Sequence, residues 1–193
     1  MKILNLFPTN ILGVVLNEIT DQELEDFKKY ILNSNLKKDE GNTSKLTINQ
    51  QLLNNDLFTK LNQQIIKYSK IYLNKIGHIY EDLQISNSWA NIVNPGGHLS
   101  LHKHVNSYIS GSFYFSESSE IEFFNPLHEK WIFTSASSSK NIFYKIKPIS
   151  KLLLLFPSFI DHRVINSKNN RVSIAFNIIP KGKFGLIAGE LNL

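Results

Sequence analysis

Near Ile85 the hydrophobic pattern of this chain changes period. Before that point apolar residues recur every three or four positions; after it they alternate in short runs rich in Ile, Phe, Tyr and Val. A helix-period pattern does not settle as a strand, so the switch divides the chain into a helical part and a β part. Eight runs follow: Ser86 to Val93, Leu99 to Val105, Ile109 to Ser116, Ile121 to Phe124, Ile142 to Lys147, Leu152 to Phe156, His162 to Asn166 and Arg171 to Ile179. Asn-Pro-Gly-Gly, serine-rich and Lys-Pro segments separate them. Short strands in this number predict a mainly β sandwich or jelly roll with helices packed against its outside. We read residues 1–193 as a single domain: a helical support region over 1–84, a jelly-roll core over 85–180 and a C-terminal tail over 181–193.

Two helices are expected in the first region. Thr20-Asp21-Gln22-Glu23 forms a capping-box pattern ahead of Leu24, Phe27 and Ile31 at helical spacing. A second helix is expected from Asn55 or Asp56 to Gly77, with Leu57, Leu61, Ile65, Tyr68 and Tyr72 on one stripe and the glycine as a left-handed cap. These stripes predict core packing, not cofactor contacts.

A chain of 193 residues buries roughly 70% of its unfolded surface and needs no covalent staple. There is no cysteine, which excludes disulfides, thiolate zinc sites and thiol nucleophiles. A catalytic metal would have to use His, Asp or Glu. The net charge is +5, and 19 of the 21 basic residues are Lys, leaving Arg163 and Arg171 as the two arginines. Lysines occur singly or in pairs near acids, the pattern of a solvated surface and not of a nucleic-acid arm. The longest apolar run is Leu152 to Pro157, far short of the ~18 residues of a membrane helix. Met1 to Leu4 looks like the opening of a signal peptide, but Asn5, Pro8, Thr9 and Asn10 interrupt it. A cytoplasmic protein without a membrane partner is expected, and Ser135 to Ser139 reads as a loop tip.

Strand alternation selects the candidate site. His98, Ser100, His102 and His104 share one face of their run, opposite Leu99, Leu101, Lys103 and Val105. His102 and His104 can therefore grip one metal ion such as iron, zinc, copper or nickel; the plain alternative is a pair of exposed strand histidines. In the last run Val172, Ile174, Phe176 and Ile178 form an apolar face, and Arg171, Ser173, Ala175 and Asn177 form a polar one. A polar face lining a wet cavity could place a guanidinium to take a carboxylate through two parallel hydrogen bonds, a geometry Lys cannot match. Here the alternative is a solvent-facing strand.

Taken in order, His102-Lys103-His104, Tyr114 within Phe113-Tyr114-Phe115, Leu153 to Pro157 leading to His162, and Arg171 nine residues later with Ser173 make a specific pattern. It resembles the iron(II)- and 2-oxoglutarate-dependent oxygenases, in particular their prolyl-hydroxylase-like branch. Trp89-Ala90-Asn91-Ile92, Ser110-Gly111 and the opening Leu6-Phe7-Pro8-Thr9 look like an uncharacterised bacterial and phage subgroup of that superfamily.

The resemblance implies a double-stranded β-helix, which is a jelly roll, with iron held by His102, His104 and His162. The superfamily usually has His-x-Asp or His-x-Glu at the first motif, and this chain has His104 in place of the carboxylate. The all-histidine set carries one negative charge less, which alters hold on the ion. Asp161 is a weaker substitute, since adjacent strand residues point oppositely. Arg171 would pair with the distal carboxylate of 2-oxoglutarate, with Ser173 and Tyr114 adding hydrogen bonds and Asn91 and Asn94 as weaker pocket candidates. The implied reaction consumes oxygen and 2-oxoglutarate and hydroxylates an unknown substrate, with succinate and carbon dioxide released. Two other readings stay open: a non-catalytic jelly-roll binding module, and a cupin-like metal enzyme that does not use 2-oxoglutarate.

The remaining polar residues are read plainly. His78 and His128 are surface or structural histidines, and His98 sits behind the metal pair. Arg163 faces away from the metal toward an acidic neighbour or a substrate. Glu117, Glu120 and Glu122 are solvated. Substrate choice is expected to lie in loops such as Asn125 to Asn141.

Overall fold

The computed structural model describes residues 2, 8–128, 142–186 and 189–193. Twelve strands and two α-helices follow one another through them, and the strands form two antiparallel sheets.

The first helix, α1 (Asp21–Leu32), begins where the sequence places it. The Thr20 hydroxyl accepts from the Glu23 N–H at 3.1 Å, and the Glu23 carboxylate accepts from the Thr20 N–H at 2.7 Å. Leu24, Phe27 and Ile31 are buried. The second helix starts later than its apolar stripe suggests. Asn55 caps a 3₁₀ turn at Asp56–Phe58 by accepting from the Leu57 N–H, and α2 runs from Thr59 to Lys75. That turn rotates Phe58 into the core and leaves Leu57 exposed, so Leu57 is not part of the buried stripe, which is Leu61, Ile65, Ser69, Tyr72 and Leu73. Gly77 has a φ of +79°, the left-handed conformation expected for the residue that ends this helix.

Counting strands along the chain, β1 is Leu12–Val15, β2 Leu36–Lys38, β3 Ser44–Thr47 and β4 Tyr80–Val93. β5 is Leu99–His102, β6 Ile109–Tyr114, β7 Ile121–Phe124 and β8 Phe143–Ile146. β9 is Leu152–Pro157, β10 His162–Val164, β11 Arg171–Phe184 and β12 Leu191–Asn192. The large sheet has the order β1-β9-β6-β11-β4-β3-β2, with β12 added to β11, and the small sheet has the order β5-β10-β7-β8. All eight predicted runs form strands. The N-terminal region contributes strands as well as helices, since β1 joins one edge of the large sheet and β2–β3 the other.

Period-two patterning sorts the side chains into two cores. Ile174, Phe176 and Ile178 of β11, Leu153 and Leu155 of β9 and Ala90 of β4 pack outward against α1 and α2. Leu152, Leu154 and Phe156 of β9, Tyr114 of β6 and Val93 of β4 point inward, toward Leu99, Ile121, Phe123 and Val164 of the small sheet. The inner space closes at one end with these apolar groups and stays open at the other. A register shift between Asn177 and Ile178 inserts Ser86 as an extra residue in β4. The sheets are those of a jelly roll.

Candidate metal centre

The polar residues of the inner face gather at the open end. β10 pairs antiparallel with β5, which sets His162 directly opposite His102. β5 ends at His102, not at Val105 as the pattern suggests, and the chain turns through Asn106 at φ +57°. His104 lies in this turn, where its N–H donates to the Ser158 carbonyl at 3.0 Å. Ring centroids are 4.4 Å apart for His102 and His162, 5.3 Å for His102 and His104, and 5.2 Å for His104 and His162. One ring nitrogen from each lies within 4.8 Å of the other two.

The second nitrogen of each ring is already committed. Nδ1 of His102 meets the Ser100 carbonyl at 2.7 Å, Nδ1 of His162 the Ile160 carbonyl at 3.0 Å, and Nδ1 of His104 the Asn177 side-chain oxygen at 2.5 Å. An amide oxygen only accepts, so all three Nδ1 atoms carry the proton, and in the neutral ring this leaves Nε2 as the free lone pair. Burial pushes the His162 imidazole down to about 3, with repulsion from His102 adding to it. Burial also lowers His104, against the opposing effect of its Asn177 bond. Neutral imidazoles with a fixed tautomer are what a divalent transition metal binds.

Arg171 occupies the deep end. It is 2% exposed, stacks over the Tyr114 ring at 5.1 Å and donates from Nη2 to the Tyr114 hydroxyl at 3.2 Å. Its Nε and Nη1 are buried without a hydrogen-bond partner among the described residues, and burial pulls its pKa below the usual guanidinium value. An uncompensated buried cation is strongly unfavourable, and Arg171 lines the cavity with donors that an anion could accept from. Arg171, Ser173, Asn91 and the three histidines line one cavity of about 710 Å³. The residues present thus fit both a metal ion and a carboxylate. A second cavity of about 780 Å³, walled by Phe123, Phe143 and Leu152, brings no imidazole, guanidinium or carboxylate into its lining among the described residues.

Other sequence candidates fall away from this centre. Asn94 is exposed in the turn after β4 and outside the cavity. Asp161 does not join the three-histidine cluster. His98 bonds to Thr43 in the β2–β3 hairpin, and His78 to the Tyr108 hydroxyl. Arg163 turns from the metal cluster to Glu122, at 2.7 Å. Glu122 itself is not solvated as its position suggests: it is 1% exposed and also pairs with Lys145 at 2.9 Å. Asn177, placed by alternation on the polar face of β11 but given no role, holds His104. Leu6-Phe7, Ser135 to Ser139 and most of the segment from Asn125 to Asn141 lie outside the described residues.

Residues 87–177, the span holding all seven candidate ligands, match the family described as "Putative 2OG-Fe(II) oxygenase". That segment is similar to the 2OG-Fe(II) oxygenases. Among solved structures the chain is similar to a Pseudomonas putida prolyl-4-hydroxylase, with a TM-score of 0.64 at 10% identity, over 90% of this chain and 94% of that one. It is similar to HygX from Streptomyces hygroscopicus, solved with nickel and 2-oxoglutarate bound, with a TM-score of 0.64 at 13% identity, over 89% and 83%. A Trichoplax adhaerens prolyl hydroxylase matches with a TM-score of 0.58 at 13% identity, over 87% and 83%. At these identities the likeness is one of fold. No curated protein sequence matches the chain.

Proposed function

We propose that the protein is a hydroxylase in which His102, His104 and His162 hold iron(II) and Arg171 anchors the distal carboxylate of 2-oxoglutarate. The observation that carries this reading is the pair of unpartnered, buried Arg171 donors in the wall of the cavity onto which three bare imidazole nitrogens converge. Bound together, the metal and the keto acid supply the oxidising chemistry, in which oxygen is consumed, 2-oxoglutarate becomes succinate and carbon dioxide, and a substrate carbon gains a hydroxyl.

The residues of the chain position these groups. Arg171 offers a preorganised fork in a desolvated pocket, where a charge-assisted pair is strong and selects a dicarboxylate by its reach. Tyr114 fixes the fork from below, and Ser173 and Asn91 present further polar groups along the same wall. Leu99, Ile121 and Phe156 keep the pocket apolar between the polar ends. His104 and His162 stay neutral because burial disfavours their protonation. A binding module would have no need of a buried unpaired guanidinium, and a metal enzyme without a keto acid would leave it without an anion.

The test is anaerobic titration of the iron(II)-loaded protein with 2-oxoglutarate, followed by aerobic assay for succinate. A visible charge-transfer band and metal-dependent succinate release are expected in the wild type, both lost in His162→Ala. Purified protein that binds neither metal nor keto acid would overturn the reading.

A further inference from the structure

His104 stands where related sites usually carry a carboxylate, and the structure surrounds it as an imidazole. Asn177 Oδ1 accepts from His104 Nδ1 at 2.5 Å and from the Ser110 hydroxyl at 2.7 Å, which uses both lone pairs of that oxygen. The other end of the same amide donates to Asn87 Oδ1 at 2.9 Å. In this arrangement Asn87 Oδ1 also accepts from the Ser86 hydroxyl at 3.2 Å, the Asn177 nitrogen faces β4 and its oxygen faces His104. Ser110 lies 2.8 Å from the Ser158 hydroxyl, and the Ser158 carbonyl holds the His104 backbone N–H. Ring and main chain of one residue are thus fixed through one buried network.

We infer that Asn177 is a positioning residue that makes His104 a metal ligand, by holding its Nδ1–H through an amide oxygen and so aiming a bare Nε2 at His102 and His162. The inference rests on the three-histidine reading of the metal centre. His102 and His162 take their tautomers from main-chain carbonyls of their own strand and turn, so they need no such residue. His104 sits past the end of β5, with a side chain as its tautomer-setting partner. Losing an outer partner of this kind typically costs 10–100-fold in metal affinity.

The experiment is cobalt(II) titration against a competing chelator, with proton NMR of the cobalt-loaded protein to count the shifted, exchangeable imidazole N–H signals. Wild type, Asn177→Ala and Asn177→Asp are compared, with circular dichroism to confirm that each is folded. Wild type is expected to bind cobalt and show three such signals. Asn177→Ala is expected to bind 10–100-fold more weakly and to lose one signal. Asn177→Asp keeps an acceptor at the same place and is expected to bind within about threefold of wild type or more tightly. Should Asn177→Ala not fold, Asn177→Asp and Ser110→Ala decide: a lost signal in Asn177→Asp overturns the inference, as does a larger loss of affinity in Ser110→Ala than in Asn177→Asp. Equal affinity and three signals in wild type and Asn177→Ala also overturn it, while leaving the metal centre itself intact. A wild type that takes up no cobalt would overturn the metal reading and this inference with it.

Discussion

In the proposed site Arg171 would act through geometry as much as charge. Its fork is held by stacking and one hydrogen bond to Tyr114, and two further donors remain for an anion. Charged hydrogen bonds of this kind are worth about 1.5–3 kcal/mol each. Losing two of them costs about 3–6 kcal/mol, so Arg171→Ala is expected to weaken 2-oxoglutarate binding by at least about a hundredfold, as measured by anaerobic titration. Arg171→Lys is expected to recover little, because an ammonium cannot form the parallel pair. Unchanged 2-oxoglutarate affinity in Arg171→Ala would remove it from the site. This residue was legible in the sequence, since an arginine on a strand face shared with Ser173 needs an explanation. Asn177 lay on that same face but was not singled out, because its role depends on how far β5 continues and where its turn delivers His104. Alternation states the face of a residue and not its partner.

At the scale of elements, the small sheet is tied across three strands. Glu122 of β7 lies beside Lys145 of β8 and Arg163 of β10, with contacts of 2.9 Å and 2.7 Å. Burial pushes the Glu122 carboxyl up, but the hydrogen bonds from Lys145 and Arg163 outweigh it and the net shift is downward. This tie is present above the ordinary carboxylate pKa and is lost as pH falls through the lowered one. Removing one partner of a fully buried pair costs about 3–5 kcal/mol; with both cations partly in water, Glu122→Ala is expected to cost about 1–3 kcal/mol. Urea denaturation measures it, and a midpoint equal to wild type would show the tie to be inert. Strand β10, which carries His162, is one of the elements this tie secures. Sequence reading took Glu122 as solvated because its neighbours Glu117 and Glu120 are surface acids, and only the pairing of β7 between two cation-bearing strands shows otherwise. The capping box of α1 was legible in full, since all its partners lie within four residues. The start of α2 was not, because a 3₁₀ turn and a helical turn share one apolar spacing.

For the whole molecule, the buried histidines link stability to pH. His162 has an ordinary value of 6.5 and about 3 in the folded metal-free protein. Between those values the unfolded chain binds more protons, so stability rises with pH across the window. The metal-free protein is expected to be fully stable above about pH 6.5 and to lose up to about 1.4 kcal/mol per pH unit below it from this residue. His104, lowered in the same direction, adds to the slope. Thermal denaturation of metal-free wild type and His162→Asn between pH 4 and 8 checks this, with a flatter profile expected in the variant; identical slopes would show that the imidazole is not held neutral. The sequence by itself determined the eight strands of the β region and their two faces, because period-two alternation is a property of neighbouring residues, whereas His162 and the role of Arg171 entered through the resemblance in motif order. Only the tertiary structure decided that β10 pairs with β5 in the register that sets His162 against His102, that Arg171 keeps two unpaired donors, and that Asn177 meets His104. Each of these depends on contacts between segments tens of residues apart, which local patterning restricts but does not select.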